Sequence, residues 1–124
     1  MNRREQLKTE AKQNGARLRT MGVYRIRNER NGRVFLDASL NLEGAMDRDR
    51  SWLALGGHTN RSLQQDWNAC GADAFRFDIL ETLTPTNDPR DYAGEVALLL
   101  EAWMAQLEPY GDKGYLPVPR RMRA

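Results

Sequence analysis

Histidine and cysteine occur once each in this chain of 124 residues, as His58 and Cys70. One cysteine can neither close an internal disulfide nor supply a thiolate zinc site, and one histidine excludes a histidine-rich metal centre. No apolar run approaches the roughly 20 residues of a membrane span. The opening MNRREQLKTE is charged throughout and has no apolar stretch of the secretory kind. These absences predict a cytoplasmic protein with no membrane partner. Net charge is also nearly absent, at +2, which excludes a uniformly basic nucleic-acid binder. What charge there is lies unevenly. Residues 1–20 carry a balance of +4, residues 112–124 carry +3, and the stretch between them sits at −5. Any attraction for phosphate therefore belongs to the ends, through Arg3, Arg4, Arg120, Arg121 and Arg123, unless those termini are simply solvated.

What is present reads as one folded domain, since 40% hydrophobic and 29% charged residues suit a single core. Residues 3–19 are rich in helix formers and read as a helical lead-in. Residues 22–28 and 33–37 read as two strands, with Tyr24, Ile26 and Asn28 on one face. Asn31-Gly32 between them is a hairpin signal, because both residues tolerate positive φ. Residues 42–55 mix charge and apolar side chains and suggest a short irregular helix and a loop ending at Gly56-Gly57. Within them Asp47-Arg48-Asp49-Arg50 reads as a solvated loop. Thr59 or Asn60 can cap a helix running to Cys70, with Leu63 and Trp67 on its buried side and Gly71 as its stop. Phe75, Phe77 and Ile79 alternate along a third strand. The last helix spans about 90–107, begun by Asp88-Pro89, with Ala93, Val96, Ala97, Leu100, Trp103, Met104 and Leu107 as its apolar stripe. The expected fold class is α+β, a small sandwich with a three-stranded, mostly antiparallel sheet flanked by helices.

The triplets Gly22-Val23-Tyr24 and Phe35-Leu36-Asp37, one on each hairpin strand, resemble the paired triplets of the GIY-YIG nuclease family. The segments 53–68 and 71–81, and Glu101 to Tyr110 running into Gly114-Tyr115, resemble the later blocks of its homing-endonuclease branch. The resemblance covers residues 21–116, leaving 1–20 as a basic lead-in and 117–124 as a basic tail. It implies metal-assisted hydrolysis of a DNA phosphodiester. The first-triplet Tyr activates the nucleophile, a Glu on the last helix holds one divalent metal, and an Arg after the second triplet steadies the phosphate. By this resemblance Tyr24 is the first tyrosine and Glu101 the metal ligand for Mg²⁺ or Mn²⁺; without activity no cofactor is implied.

The departures from the pattern are concentrated in the site. Phe35 replaces the second Tyr and Asp37 the Gly of its triplet. The phosphate-binding Arg falls at Ala45, a family His at Asp49, and the exit Asn at Leu116. Arg48 and Arg50 lie nearby and could compensate, although neither is in register. Losing one donor aimed at developing charge costs about 10²–10³ in rate. A carboxylate beside an anion site adds repulsion. The resemblance therefore implies a degenerate, impaired nuclease that contacts DNA weakly and without sequence preference. Two alternatives stand beside it: an active, remodelled endonuclease using Tyr24, Glu101 and Arg48 or Arg50, and a protein-interaction domain with no nucleic-acid role. The residues themselves also allow plainer roles: Tyr24 as a packed ring, His58 as a loop brace, and Trp52, Trp67 and Trp103 as core.

Overall fold

The computed structural model describes residues 20–85 and 91–119. Its centre is the strand β1 (Met21–Asn28), paired antiparallel on one side with β2 (Val34–Ser39) and on the other with β3 (Phe75–Leu83), giving the order β2-β1-β3. Alternation along β1 sends Met21 and Val23 to one face and Tyr24 and Ile26 to the other, and both faces are covered, so all four are buried. Among the described residues three helices supply the cover: α1 (Leu42–Leu55), α2 (Arg61–Cys70) and α3 (Tyr92–Leu107). The expected α+β sandwich is the fold observed.

Two cores result, one on each sheet face. Ala93, Val96 and Leu100 of α3 pack on Met21, Val23, Leu36 and Ala38. Leu42, Ala45 and Leu53 of α1 and Leu63 of α2 pack on Tyr24, Ile26 and Phe35, joined by Tyr115 from the tail. The register of β1 on β3 shifts between Val23 and Tyr24, which pair with Glu81 and Ile79. A bulge of this kind re-aims a side chain locally, and here it lies beside Tyr24.

Several local expectations are corrected. The stretch 42–55 is one regular helix of 14 residues, capped by Asn41 at Gly44 N–H and closed by Gly56 in the left-handed conformation. The β1–β2 hairpin is joined by a five-residue loop, 29–33, one residue longer than the stretch left between the expected strands. Gly32 takes φ +77°, while Asn31 keeps a negative φ and uses its side chain instead. Its Oδ1 accepts from Arg33 N–H and its Nδ2 donates to Asp66. Helix α3 starts at Tyr92 with Asp91 as its cap, accepting from Gly94 N–H. The Asp88-Pro89 start and the helical lead-in lie outside the described residues.

The exit after α3 is pinned to the sheet. Tyr115 N–H donates to Val34 C=O at 3.0 Å, and the Tyr115 hydroxyl donates to Asp66 at 2.7 Å while accepting from Asn28 Nδ2 at 3.1 Å. Arg33 lies 4.4 Å over the Tyr115 ring and pairs with Asp66 at 3.3 Å. Desolvation works against the Asp66 charge. The hydrogen bonds from Tyr115 and Asn31 and the Arg33 charge outweigh it, and the carboxyl stays below its ordinary value. Burial and the bond to Asp66 push the Tyr115 phenol up to about 12. A raised phenol stabilises the fold fully below its unfolded value of 10 and loses that contribution as pH rises toward 12. Tyr115→Phe should therefore flatten the alkaline slope of stability between those limits, followed by denaturation at stepped pH. It should also cost about 1 kcal/mol at neutral pH, because Asp66 loses a donor and one of the two Asn28 Nδ2 protons loses its acceptor while the other keeps Cys70 Sγ.

Candidate active site

Helix geometry brings an acid onto Tyr24. On α1 the buried positions are Leu42, Ala45, Asp49 and Leu53, a stripe at steps of three and four, so Asp49 faces the sheet with the apolar residues. The Tyr24 hydroxyl, itself inaccessible, donates to Asp49 Oδ2 at 2.5 Å. His58 Nε2 lies 3.1 Å from Asp49 Oδ1. The tautomer follows from the other ring nitrogen: His58 Nδ1 accepts from Asn60 N–H at 3.0 Å, so Nε2 carries the ring proton and donates to Asp49. The Asp49 and His58 side chains are only 4% and 2% exposed, so no water competes for these bonds.

The loop that carries His58 is braced from both sides. His58 N–H donates to Gln64 Oε1, and Gln64 Nε2 donates to Leu53 C=O at the end of α1 and to Asn68 Oδ1. Asn60 caps α2 at Leu63 N–H and donates to Tyr115 C=O. Phe35 packs edge-on to the His58 ring, with centroids 5.5 Å apart.

Electrostatics keep the Tyr24 proton in place. Burial pushes the phenol well above its ordinary value, and the charges of Asp37 and Asp49 and the bond to Asp49 push the same way; Arg48 offsets them only in part. Asp37 stands directly across β2 from Tyr24. A phenol so placed is a hydrogen-bond donor at neutral pH and cannot take a proton.

Of the residues singled out by sequence, the structure gathers Tyr24 and Arg48. The Arg48 guanidinium lies 5.1 Å over the Trp52 ring, and its buried Nε has no hydrogen-bond partner. Arg50 turns aside, pairing with Asp47 at 3.2 Å and lying 4.2 Å over Phe77. Glu101 is exposed on α3, whose packed side lies against the sheet face opposite Tyr24. Arg3, Arg4, Arg120, Arg121 and Arg123 lie outside the described residues.

Two sequence readings are overturned. The Asp47–Arg50 stretch is helical rather than a solvated loop, and Asp49 is buried at its centre. Trp52 is not core: it is 37% exposed, because it sits beyond the buried stripe of α1. Trp67 does pack, 5.1 Å from Phe75, and Trp103 is half-buried with its Nε1 donating to Glu81. His58 braces its loop as expected, but it is also the partner of Asp49. The spacing 42, 45, 49, 53 was the signal for Asp49, masked by the alternating charges beside it.

A divalent metal finds little here. Among the described residues no group of three or more His, Cys, Asp or Glu side chains converges to hold one. Both Asp49 oxygens already accept hydrogen bonds. Glu101 alone could bind Mg²⁺ only with most of the ion's waters retained. The described residues do not make a closed metal site.

The sequence matches no family model and no curated protein. The fold does match solved structures. The catalytic domain of homing endonuclease I-TevI superposes with a TM-score of 0.63 at 25% identity, over 77% of this chain and 95% of that one. A mutant of the catalytic domain of intron endonuclease I-TevI gives 0.64 at 24% identity, over 78% and 92%.

Proposed function

We propose that this chain, which has the GIY-YIG catalytic-domain fold, is a nucleic-acid-associated protein whose nuclease site is impaired. One observation carries the second half of that reading: the Tyr24 hydroxyl is spent inward on Asp49, inside a site where Phe35 offers no hydroxyl and Ala45 no cation. The negative charges of Asp37 and Asp49 beside Tyr24 would repel a phosphate group. Likeness to an endonuclease domain supports association with nucleic acid, and the basic ends supply the charge for it.

Arg48 favours a second reading. Its Nε, unbonded among the described residues, and its charge acting on Tyr24 make it a cation able to meet a phosphate there, in a version that also needs Glu101, exposed on α3, to hold Mg²⁺ or Mn²⁺. That version is an active, remodelled endonuclease.

Binding of a labelled DNA duplex measured against salt tests the association. Affinity should fall linearly on a log–log plot, because each neutralised phosphate releases counterions. Replacing Arg120, Arg121 and Arg123 together by Ala should reduce the slope by up to about 3, roughly 0.9 per lost contact. Binding that is absent, or indifferent to salt, would instead favour a protein-interaction domain.

A further inference from the structure

We infer that Asp49 and His58 are positioning residues that hold the Tyr24 hydroxyl inward as a hydrogen-bond donor and so keep the site silent. The inference rests on the impaired-site reading above and assigns the cause to a particular pair. Tyr24 cannot turn away, since its ring lies in the core with Ile26, Phe35 and Leu42. Asp49 cannot turn away either, because its second oxygen is held by His58. His58 in turn is fixed at Nδ1 by Asn60 N–H and through its backbone by Gln64. The chain of bonds therefore runs from β1 through α1 and the Gly56–Asn60 loop to α2. Breaking any link means leaving a buried donor or acceptor bare, which costs about 1–3 kcal/mol.

The charged and titratable groups facing the Tyr24 hydroxyl are Asp37 from β2 and Arg48 and Asp49 from α1, with His58 behind Asp49. Asp49 is the only one of them bonded to that hydroxyl. Its charge and its geometry can be separated by substitution. Asp49→Asn keeps the shape, removes the charge and can no longer accept from both neighbours at once. His58→Gln retains an N–H able to reach Asp49, whereas His58→Ala does not.

The test uses the full chain with ¹³C-ring-labelled tyrosine and ¹⁵N-labelled histidine. Tyr24 is identified by the signal lost in Tyr24→Phe, and His58 is the only histidine in the chain. In the wild type His58 should show a single neutral tautomer with the proton on Nε2. Tyr24 should ionise at lower pH in Asp49→Asn than in the wild type. His58→Ala should move it in the same direction and His58→Gln should stay near the wild type. Tyr24 titrating alike in wild type and Asp49→Asn, or His58 carrying its proton on Nδ1, would overturn the inference. Should Asp49→Asn fail to fold, the His58 tautomer of the wild type still decides. DNA cleavage by the wild type would sink the impaired-site reading on its own, whatever the titrations show. Release of Tyr24 is not expected to restore cleavage, because Phe35 and Ala45 remain.

Discussion

Gly22→Ala should cost at least about 3 kcal/mol of stability, near the upper end for a single substitution. A Cβ at Gly22 would stand 1.9 Å from the backbone oxygen of Glu81 and 2.8 Å from Thr82 Cα. Both obstacles are main chain of β3, so no rotamer change relieves them. β1 is also the central strand, paired on both sides, with Gly22 opposite Ser39 and Thr82. Moving it means shifting two ladders, and φ of +154° adds a conformational penalty for any L side chain. Gly32→Ala is the natural comparison, because Gly32 also has positive φ, at +77°, but open space around it. It should lose only about 1 kcal/mol. Urea denaturation of both variants checks the pair. A Gly22→Ala protein as stable as Gly32→Ala would mean that the close β1–β3 approach is wrong.

Asp49→Ala should lose about 2 kcal/mol or more. It strands two buried donors, the Tyr24 hydroxyl and His58 Nε2–H, each costing about 1–3 kcal/mol when left without an acceptor. Relief from holding a carboxylate out of water offsets part of this, so the loss should fall short of the full sum. Tyr24→Phe alone should cost less, since Asp49 keeps His58. Because the three side chains act as one network, the double variant should lose less than the two single losses added together. Denaturation of the single and double variants measures that coupling. Strict additivity would show that Tyr24 and Asp49 are not bonded as described.

The sequence carried the fold further than it carried the site, for a physical reason. The packed Phe75 and Phe77 of β3, the α3 stripe and the Gly71 stop each follow from local period and backbone freedom and stand where the residues placed them. Ile79, expected on the same face, is instead 47% exposed. Gly22 was legible only as part of a triplet; why glycine is needed there depends on β3, some sixty residues away. Asp49 was hidden by its neighbours Asp47, Arg48 and Arg50, whose alternating charges resemble a solvated loop. Its burial comes from a helix pointing one acid at a phenol on another element, a pairing that no local pattern records. Trp52 erred the other way: its ring looked like core, but the helix turns it outward under Arg48.

Whether this site cuts DNA separates an impaired nuclease from a working one. Plasmid nicking by the purified chain with Mg²⁺ or Mn²⁺, beside Tyr24→Phe, Glu101→Ala and an EDTA control, tests that directly. The wild type should nick no more than either variant. Metal-dependent cleavage that disappears in both variants and in EDTA would contradict the account and make Arg48 the phosphate-meeting residue of a working enzyme.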